Sequence, residues 1–273
     1  MSDAAPPTPH SVFRPDFLAG KVALVTGGGT GICRGITEGL MRHGCRAVIT
    51  SRKADVLAKS AAELEAATGQ RCLGVAADVR KPDEVEAAFD RTLAEFGRVD
   101  IVINGAAGNF LAPAATLSYN AFRTVMEIDA IGTFNVSKAA FTKYFREHGG
   151  NIVNISATLH YKGTALQTHP GSAKAAVDAM TRHLAVEWGG AGIRVNCIAP
   201  GPIDDTEGMK RLAPGDTKRK FEQQIPLGRF GRISEIADAT LFLVSDAATY
   251  ITGTVLVVDG GAWMTMAGFV PWE

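Results

Sequence analysis

Neither net charge nor a long apolar run marks this chain. Its 273 residues carry 28 Lys and Arg against 28 Asp and Glu, so the basic excess that accompanies nucleic-acid binding or attachment to an anionic membrane is missing. No apolar run reaches the roughly 18 residues needed to span a bilayer, and the N-terminus lacks the basic-then-apolar order of a secretory signal. Cysteine is scarce too. Cys33, Cys45, Cys72 and Cys197 stand apart, with no C-x-x-C and no histidines at zinc spacing. These absences predict a soluble chain of a reducing compartment, without structural metal, nucleic-acid partner or membrane partner.

What is present is a chain 46% apolar and 21% charged, long enough for one large α/β unit. Four of the twelve prolines fall within the first 17 residues, so 1–20 is expected to be a tail without a packed core and 21–273 a single domain. Short β-branched runs at 22–26, 47–50, 71–77, 99–103, 151–155, 194–198 and 254–258 predict seven strands. They are apolar almost throughout rather than alternating, as suits strands buried on both faces of a parallel sheet. Segments 55–67, 82–96 and 171–188 carry apolar residues at helical spacing and open with proline or small residues. The rhythm predicts a doubly wound α/β Rossmann domain: a seven-stranded parallel sheet with helices on both faces.

Directly after the first strand stands Thr26-Gly27-Gly28-Gly29-Thr30-Gly31-Ile32, and a helical pattern follows. In that position a glycine loop lets backbone N–H groups approach a diphosphate at a helix N-terminus. Gly27, Gly29, Thr30, Gly31 and Ile32 are therefore candidate dinucleotide contacts. Cys33 stands where the fingerprint has its third glycine, and a packing role suits a small buried thiol. The second strand ends in Ser51-Arg52-Lys53 instead of the carboxylate that binds an unphosphorylated ribose. Arg52 there suits the 2′-phosphate of NADPH; a solvated loop cation is the other reading. Asp78 is a candidate acceptor for the adenine amine, or a helix cap before Pro82.

These motifs, with Asp78-Val79, Asn104-Gly105-Ala106-Ala107-Gly108, 151–156, Lys174 and Pro200-Gly201-Pro202-Ile203 followed by Thr206, resemble those of the short-chain dehydrogenase/reductase family along nearly the whole chain. The resemblance implies a nicotinamide cofactor across the carboxyl ends of the strands. It adds Val79, Asn104, Ala106, Lys174, Pro200, Gly201, Ile203 and Thr206 to the cofactor contacts, and implies a homotetramer. Most members carry an Asn, Ser, Tyr, Lys tetrad. Here Asp129, Ala157 and Pro170 occupy the first three places and only Lys174 remains, so the usual phenolic proton donor is absent.

Within the family, 105–110, 120–136, 171–178 and 201–208 resemble the 2,4-dienoyl-CoA reductases of the peroxisomal type. That resemblance implies hydride transfer from NADPH to a conjugated dienoyl thioester and protonation of the dienolate to a 3-enoyl-CoA. Asp129, between apolar neighbours that would desolvate it, is the candidate proton-handling group, directly or through water. Its other reading is a helix carboxylate neutralised by Lys174 or facing water. Lys174 is expected on the nicotinamide ribose, with Tyr161 as second-choice acid and His160, His169 and Ser172 as loop or capping residues.

For the acyl-CoA partner, the resemblance points to Phe110, Ser118, Tyr119 and Asn120, with Arg80 and Arg211 as candidate phosphate contacts and about 200–225 as a substrate loop. Another enoyl or carbonyl reductase, or a non-catalytic NADPH-binding protein, are the alternatives. The ending Phe269-Val270-Pro271-Trp272-Glu273 is not a Ser-Lys-Leu address, which predicts a cytoplasmic location.

Overall fold

The computed structural model describes residues 12–204, 206 and 216–265. Seven parallel strands, β1 (Val22–Thr26), β2 (Arg46–Ser51), β3 (Cys72–Ala76), β4 (Ile101–Asn104), β5 (Gly150–Ile155), β6 (Ile193–Pro200) and β7 (Val255–Val258), lie in the order β3-β2-β1-β4-β5-β6-β7. The connections are α1 (Gly31–Arg42), α2 (Ala54–Thr68), α3 (Pro82–Phe96), then α4 (Tyr119–Met126), α5 (Gly132–Ala140) and α6 (Arg146–His148). After β5 come α7 (Thr168–Trp188), α8 (Asp216–Glu222), α9 (Ile233–Val244) and α10 (Ala262–Thr265). The strand order reverses between β1 and β4, and a doubly wound sheet opens its ligand crevice there, beyond the carboxyl ends of the strands.

Both faces of the sheet are buried, which is why the strands read as continuous apolar runs. Ala23, Val25, Ala47, Ile49, Ile101 and Ile103 point to the side covered by Ile36, Leu40, Leu57, Leu64 and Leu241. Leu24, Val48, Val102 and Ile152 point to the other side, against Val85, Phe89, Val136, Phe145 and Leu184. The alternate directions of successive side chains divide each strand between two cores. Sequence spacing located all seven strands within a few residues.

Residues 119–148 form one helical run interrupted by two π-helical turns, Glu127–Ile131 and Phe141–Phe145. A π turn inserts a residue and re-aims the side chains beside it. No sequence pattern announced either turn.

The N-terminal segment needs correction where it is described. Leu18 is buried, and Phe13 and Phe17 pack against the first core, stacked at 5.6 Å with Phe17 edge-on to His43. Proline content overstated the independence of 12–20, because two phenylalanines and a leucine provide enough apolar area to dock it. Residues 1–11 lie outside the described residues.

Candidate functional site: a dinucleotide groove and a buried Asp–Lys pair

The β1–α1 loop forms the floor of a groove of about 330 Å³, lined by Gly27, Gly29, Thr30, Thr50, Arg52, Lys53, Asp78, Val79, Ala106, Ala107 and Ile128. Gly27 has φ +69°, and a Cβ on it would stand 2.9 Å from the Gly105 carbonyl oxygen, so only glycine fits both conformation and space. Thr26 ties this loop to the turn after β4: its Oγ1 accepts from the N–H groups of Gly105 and Ala106 at 3.0 and 3.1 Å. The missing third glycine is answered from across the groove. Cys33 is buried, and a Cβ on Gly105 would come within 2.0 Å of its Sγ; the space a glycine at 33 would leave is left by Gly105 instead. Burial pushes the Cys33 thiol up to about 12, so it packs as a small apolar group and is not a nucleophile.

Asp78 lies at the groove rim and is held by Arg80. The Arg80 Nε lies 3.0 Å from both carboxylate oxygens and Nη2 2.5 Å from Oδ2. This pairing, ahead of smaller contributions that include Arg52, holds the Asp78 carboxyl down to about 2. Arg80, expected on a CoA phosphate, is therefore already committed to a carboxylate at the dinucleotide groove. Arg52 is exposed beside Lys53 at the end of β2. With two guanidinium groups near one carboxylate, this end of the groove is net positive.

Asn104, expected on the cofactor, turns its side chain inward. Its Nδ2 donates to Ser137 Oγ at 3.0 Å and Asn154 Oδ1 at 2.9 Å, and Asn154 donates to Thr181 Oγ1 at 2.8 Å. This buried chain fixes the ends of β4 and β5 to α5 and α7. Gly201 sits beyond β6, bonded to Val258 O at 3.0 Å, and Thr206 Oγ1 donates to Ile203 O at 2.9 Å. Pro200, Gly201, Ile203 and Thr206 thus lie at the carboxyl end of the sheet, outside the groove lining around Arg52.

The π turn at 127–131 and α7 bring the catalytic candidates together. Asp129 is 1% exposed. Its Oδ1 accepts from the Gly108 N–H at 2.7 Å, and its Oδ2 is 3.1 Å from the Lys174 ammonium. Oδ2 is sealed from solvent and completes no hydrogen bond of good geometry, so its contact with Lys174 is an ion pair. Lys174 is also buried, and its Nζ donates to Ile155 O at 2.9 Å. Both partners of Asp129 are donors that a carboxylate accepts. Ion pairing with Lys174 and a place in the site are therefore compatible. Pro170 occupies the first turn of α7, where Gly171 N makes the bond back to Gln167 O at 2.9 Å; a missing N–H costs nothing at that point.

Three expected substrate contacts lie at the exposed start of α4. Ser118 caps α4, its Oγ accepting from Ala121 N at 3.1 Å. Tyr119 is 94% exposed and Asn120 is exposed as well, because α4 presents these first-turn positions outward. Phe110 stays at the site, its ring 4.3 Å from that of His169. Arg211 and much of the expected loop lie outside the described residues. Spacing gave no sign of Gly108 or of the buried His169. A larger cavity of about 640 Å³ lies under the amino ends of β4, β5 and β6, between Ile101, Asn151 and Ile193; it is remote from these groups.

The family model described as enoyl-(acyl carrier protein) reductase matches residues 27–262. The chain belongs to the short-chain dehydrogenase/reductase family. Membership in this family carries a nicotinamide cofactor, and the groove fits one. Gly27 lets the β1–α1 loop lie against the turn after β4 that forms the groove's other wall, and Thr50 Oγ1 is buried in the lining without a hydrogen-bond partner. Among family members, the peroxisomal 2,4-dienoyl-CoA reductase [(3E)-enoyl-CoA-producing] of Danio rerio is 59% identical over 261 residues, 95% of this chain and 87% of the relative. The Rattus norvegicus enzyme of the same name is 56% identical over 258 residues, covering 94% and 88%. The solved structure of a citronellol catabolism dehydrogenase from Pseudomonas aeruginosa PAO1 superposes with a TM-score of 0.82 at 35% identity, covering 93% of this chain and 99% of that one. The expected cytoplasmic location is overturned by these relatives, which are peroxisomal; an address is read by a receptor and leaves no trace in fold or composition.

Proposed function

We propose that the chain is a 2,4-dienoyl-CoA reductase that uses NADPH and forms a (3E)-enoyl-CoA. The observation that carries this reading is the buried Asp129–Lys174 pair beside a proline at the usual tyrosine position, in a chain more than half identical to two enzymes of that name. Reduction of a conjugated thioester forms no hydroxyl, so the proton goes to carbon and no phenol is needed to deliver it.

When bound, the dinucleotide supplies a hydride for the far end of the diene. The chain's own residues do the rest. The amino end of α1 holds the diphosphate, and Arg52 holds the 2′-phosphate by charge-assisted hydrogen bonds. Lys174 orients the ribose beside the ring. A water on the accessible side of the Asp129–Lys174 pair gives its proton to the α-carbon of the dienolate; the Lys174 ammonium returns a proton to the hydroxide left behind and is itself reprotonated from solvent, while Asp129 holds the ammonium in place. Burial, then the Asp178 charge, push the Tyr161 phenol up to about 12, which makes it a poorer acid than an ordinary tyrosine. Assembly as a homotetramer fits the exposed Ile131 and Phe134 on the 119–148 helical run and the half-buried edge strand β7.

The test is NADPH oxidation with 2,4-hexadienoyl-CoA, compared with crotonyl-CoA and a panel of ketones. Turnover of the dienoyl thioester is expected; activity on the panel alone overturns the reading, and tight NADPH binding with no turnover makes the chain a non-catalytic binder. Arg52→Ala is expected to raise the KM for NADPH about tenfold and leave that for NADH unchanged, as loss of one charge-assisted contact dictates.

A further inference from the structure

His169 is the buried titratable group that this mechanism leaves unused. It has no exposed surface, and beyond a loose contact with the Phe110 backbone neither Nδ1 nor Nε2 completes a hydrogen bond of good geometry. A buried imidazole so poorly bonded at the edge of the catalytic site leaves a polar position to be filled. The ring of Phe110 lies over it, tilted, at a 4.3 Å centroid distance and an interplanar angle of 34°, and Phe110 is itself 42% exposed. A side chain open to solvent is thus the cover over a donor that is not.

The backbone holds this arrangement from both sides. Ala112 N donates to Leu166 O at 3.0 Å, joining the loop that carries Phe110 to the start of α7. Leu166 has φ +65°, a left-handed conformation unfavourable for leucine. Asn109 Nδ2 reaches Gln167 Oε1 at 3.4 Å. Strain of this kind persists where surrounding contacts over-determine a turn, and here the turn sets the position of His169 three residues on.

We propose that His169 is a catalytic residue for the thioester: on substrate entry the Phe110 ring moves aside, and an imidazole N–H donates a hydrogen bond to the thioester carbonyl oxygen. As hydride adds at the far end of the diene, the electron pair moves to that oxygen, and the N–H bond strengthens with the charge while keeping its proton. The α-carbon then takes its proton from water, as above. Burial lowers the His169 pKa, against the opposing pull of the Phe110 backbone and the Asp129 carboxylate; a neutral ring with one N–H is the form that can donate without carrying a charge into the site. This assignment rests on the dienoyl-CoA reading.

Two variants and two measurements test it. His169→Leu is expected to lower kcat for 2,4-hexadienoyl-CoA about 100-fold, the effect of removing one oxyanion donor, with a much smaller change in KM. His169→Gln, which restores an N–H, is expected to recover a substantial part. The second measurement needs no turnover: the carbonyl stretching frequency of bound hexanoyl-CoA, read by infrared difference spectroscopy, is expected to be lowered in the parent protein and to return toward its free value in His169→Leu. If the parent turns over the dienoyl thioester while His169→Leu keeps both its kcat and the lowered frequency, the role of His169 is overturned and the dienoyl-CoA reading stands. If the parent binds no acyl-CoA, both fail together.

Discussion

Two carboxylate–cation pairs flank the site, and they differ in geometry and exposure. Asp78 and Arg80 are two residues apart, and Arg80 engages both carboxylate oxygens, Nε 3.0 Å from each. The pair lies at the rim, with side chains 10% and 32% exposed. Asp129 and Lys174 come from different elements, are both buried, and meet at 3.1 Å with Oδ2 short of a completed hydrogen bond. The rim pair saturates its carboxylate and so shapes the groove. The buried pair balances charge away from solvent, Oδ2 meeting the ammonium as an ion pair and not as one arm of a fork.

The contrast breaks first at Asp129. Asp129→Asn leaves the Lys174 ammonium buried without a counter-charge, and loss of about 3–5 kcal/mol of stability is expected in urea unfolding. Turnover should fall by about 100-fold or more, while NADPH affinity, measured by fluorescence titration, stays near the parent value. A variant with parent stability and parent rate would remove the distinction between the two pairs.

Packing around the groove gives a smaller effect. Gly105→Ala puts a methyl 2.0 Å from Cys33 Sγ and is expected to cost about 1–3 kcal/mol, as overpacking does. Combining it with Cys33→Ala should recover much of that loss, so that the two changes are strongly non-additive in a double-mutant cycle. Additive losses would show that Gly105 answers some other constraint.

The smallest effect belongs to the rim. Asp78 has a folded pKa lowered to about 2 from an unfolded value of about 3.9, so its contribution is present above the unfolded value and is lost as pH falls through the folded one. Because the pair is partly open to solvent, Arg80→Ala should cost no more than about 1 kcal/mol at neutral pH. The stability difference between parent and variant is expected to be flat from pH 5 to 8 and to close as pH approaches about 2 in acid titrations; a difference that persisted there would mean that Arg80 acts through packing.

How legible these regions were in the sequence follows from their contact distances along the chain. The glycine loop, Arg52 and Asp78 were legible because strand, turn and helix are consecutive, and local spacing carries the geometry. The same spacing located the strands, since apolar runs persist wherever both faces are buried. Asp129 and Lys174 were found as residues, but their partnership with Gly108 was not, because a π turn shifts the facing of the helix without changing its composition. The local surroundings of Ser118, Tyr119 and Arg80 were not legible, because a cap, an outward helix position and an ion pair two residues apart depend on where α4 starts and how the turn after β3 folds.

By itself, then, the order of amino acids determined the parallel sheet, the glycine loop after β1 and the absence of a phenolic acid at Pro170, since each depends on neighbours within a few residues. Only the tertiary structure decided that Cys33 is accommodated by Gly105, that Asp129 is buried against Lys174, and that His169 is sealed under Phe110. Those outcomes depend on close approach between segments distant in the chain, where a fraction of an ångström and the loss of water set the energy.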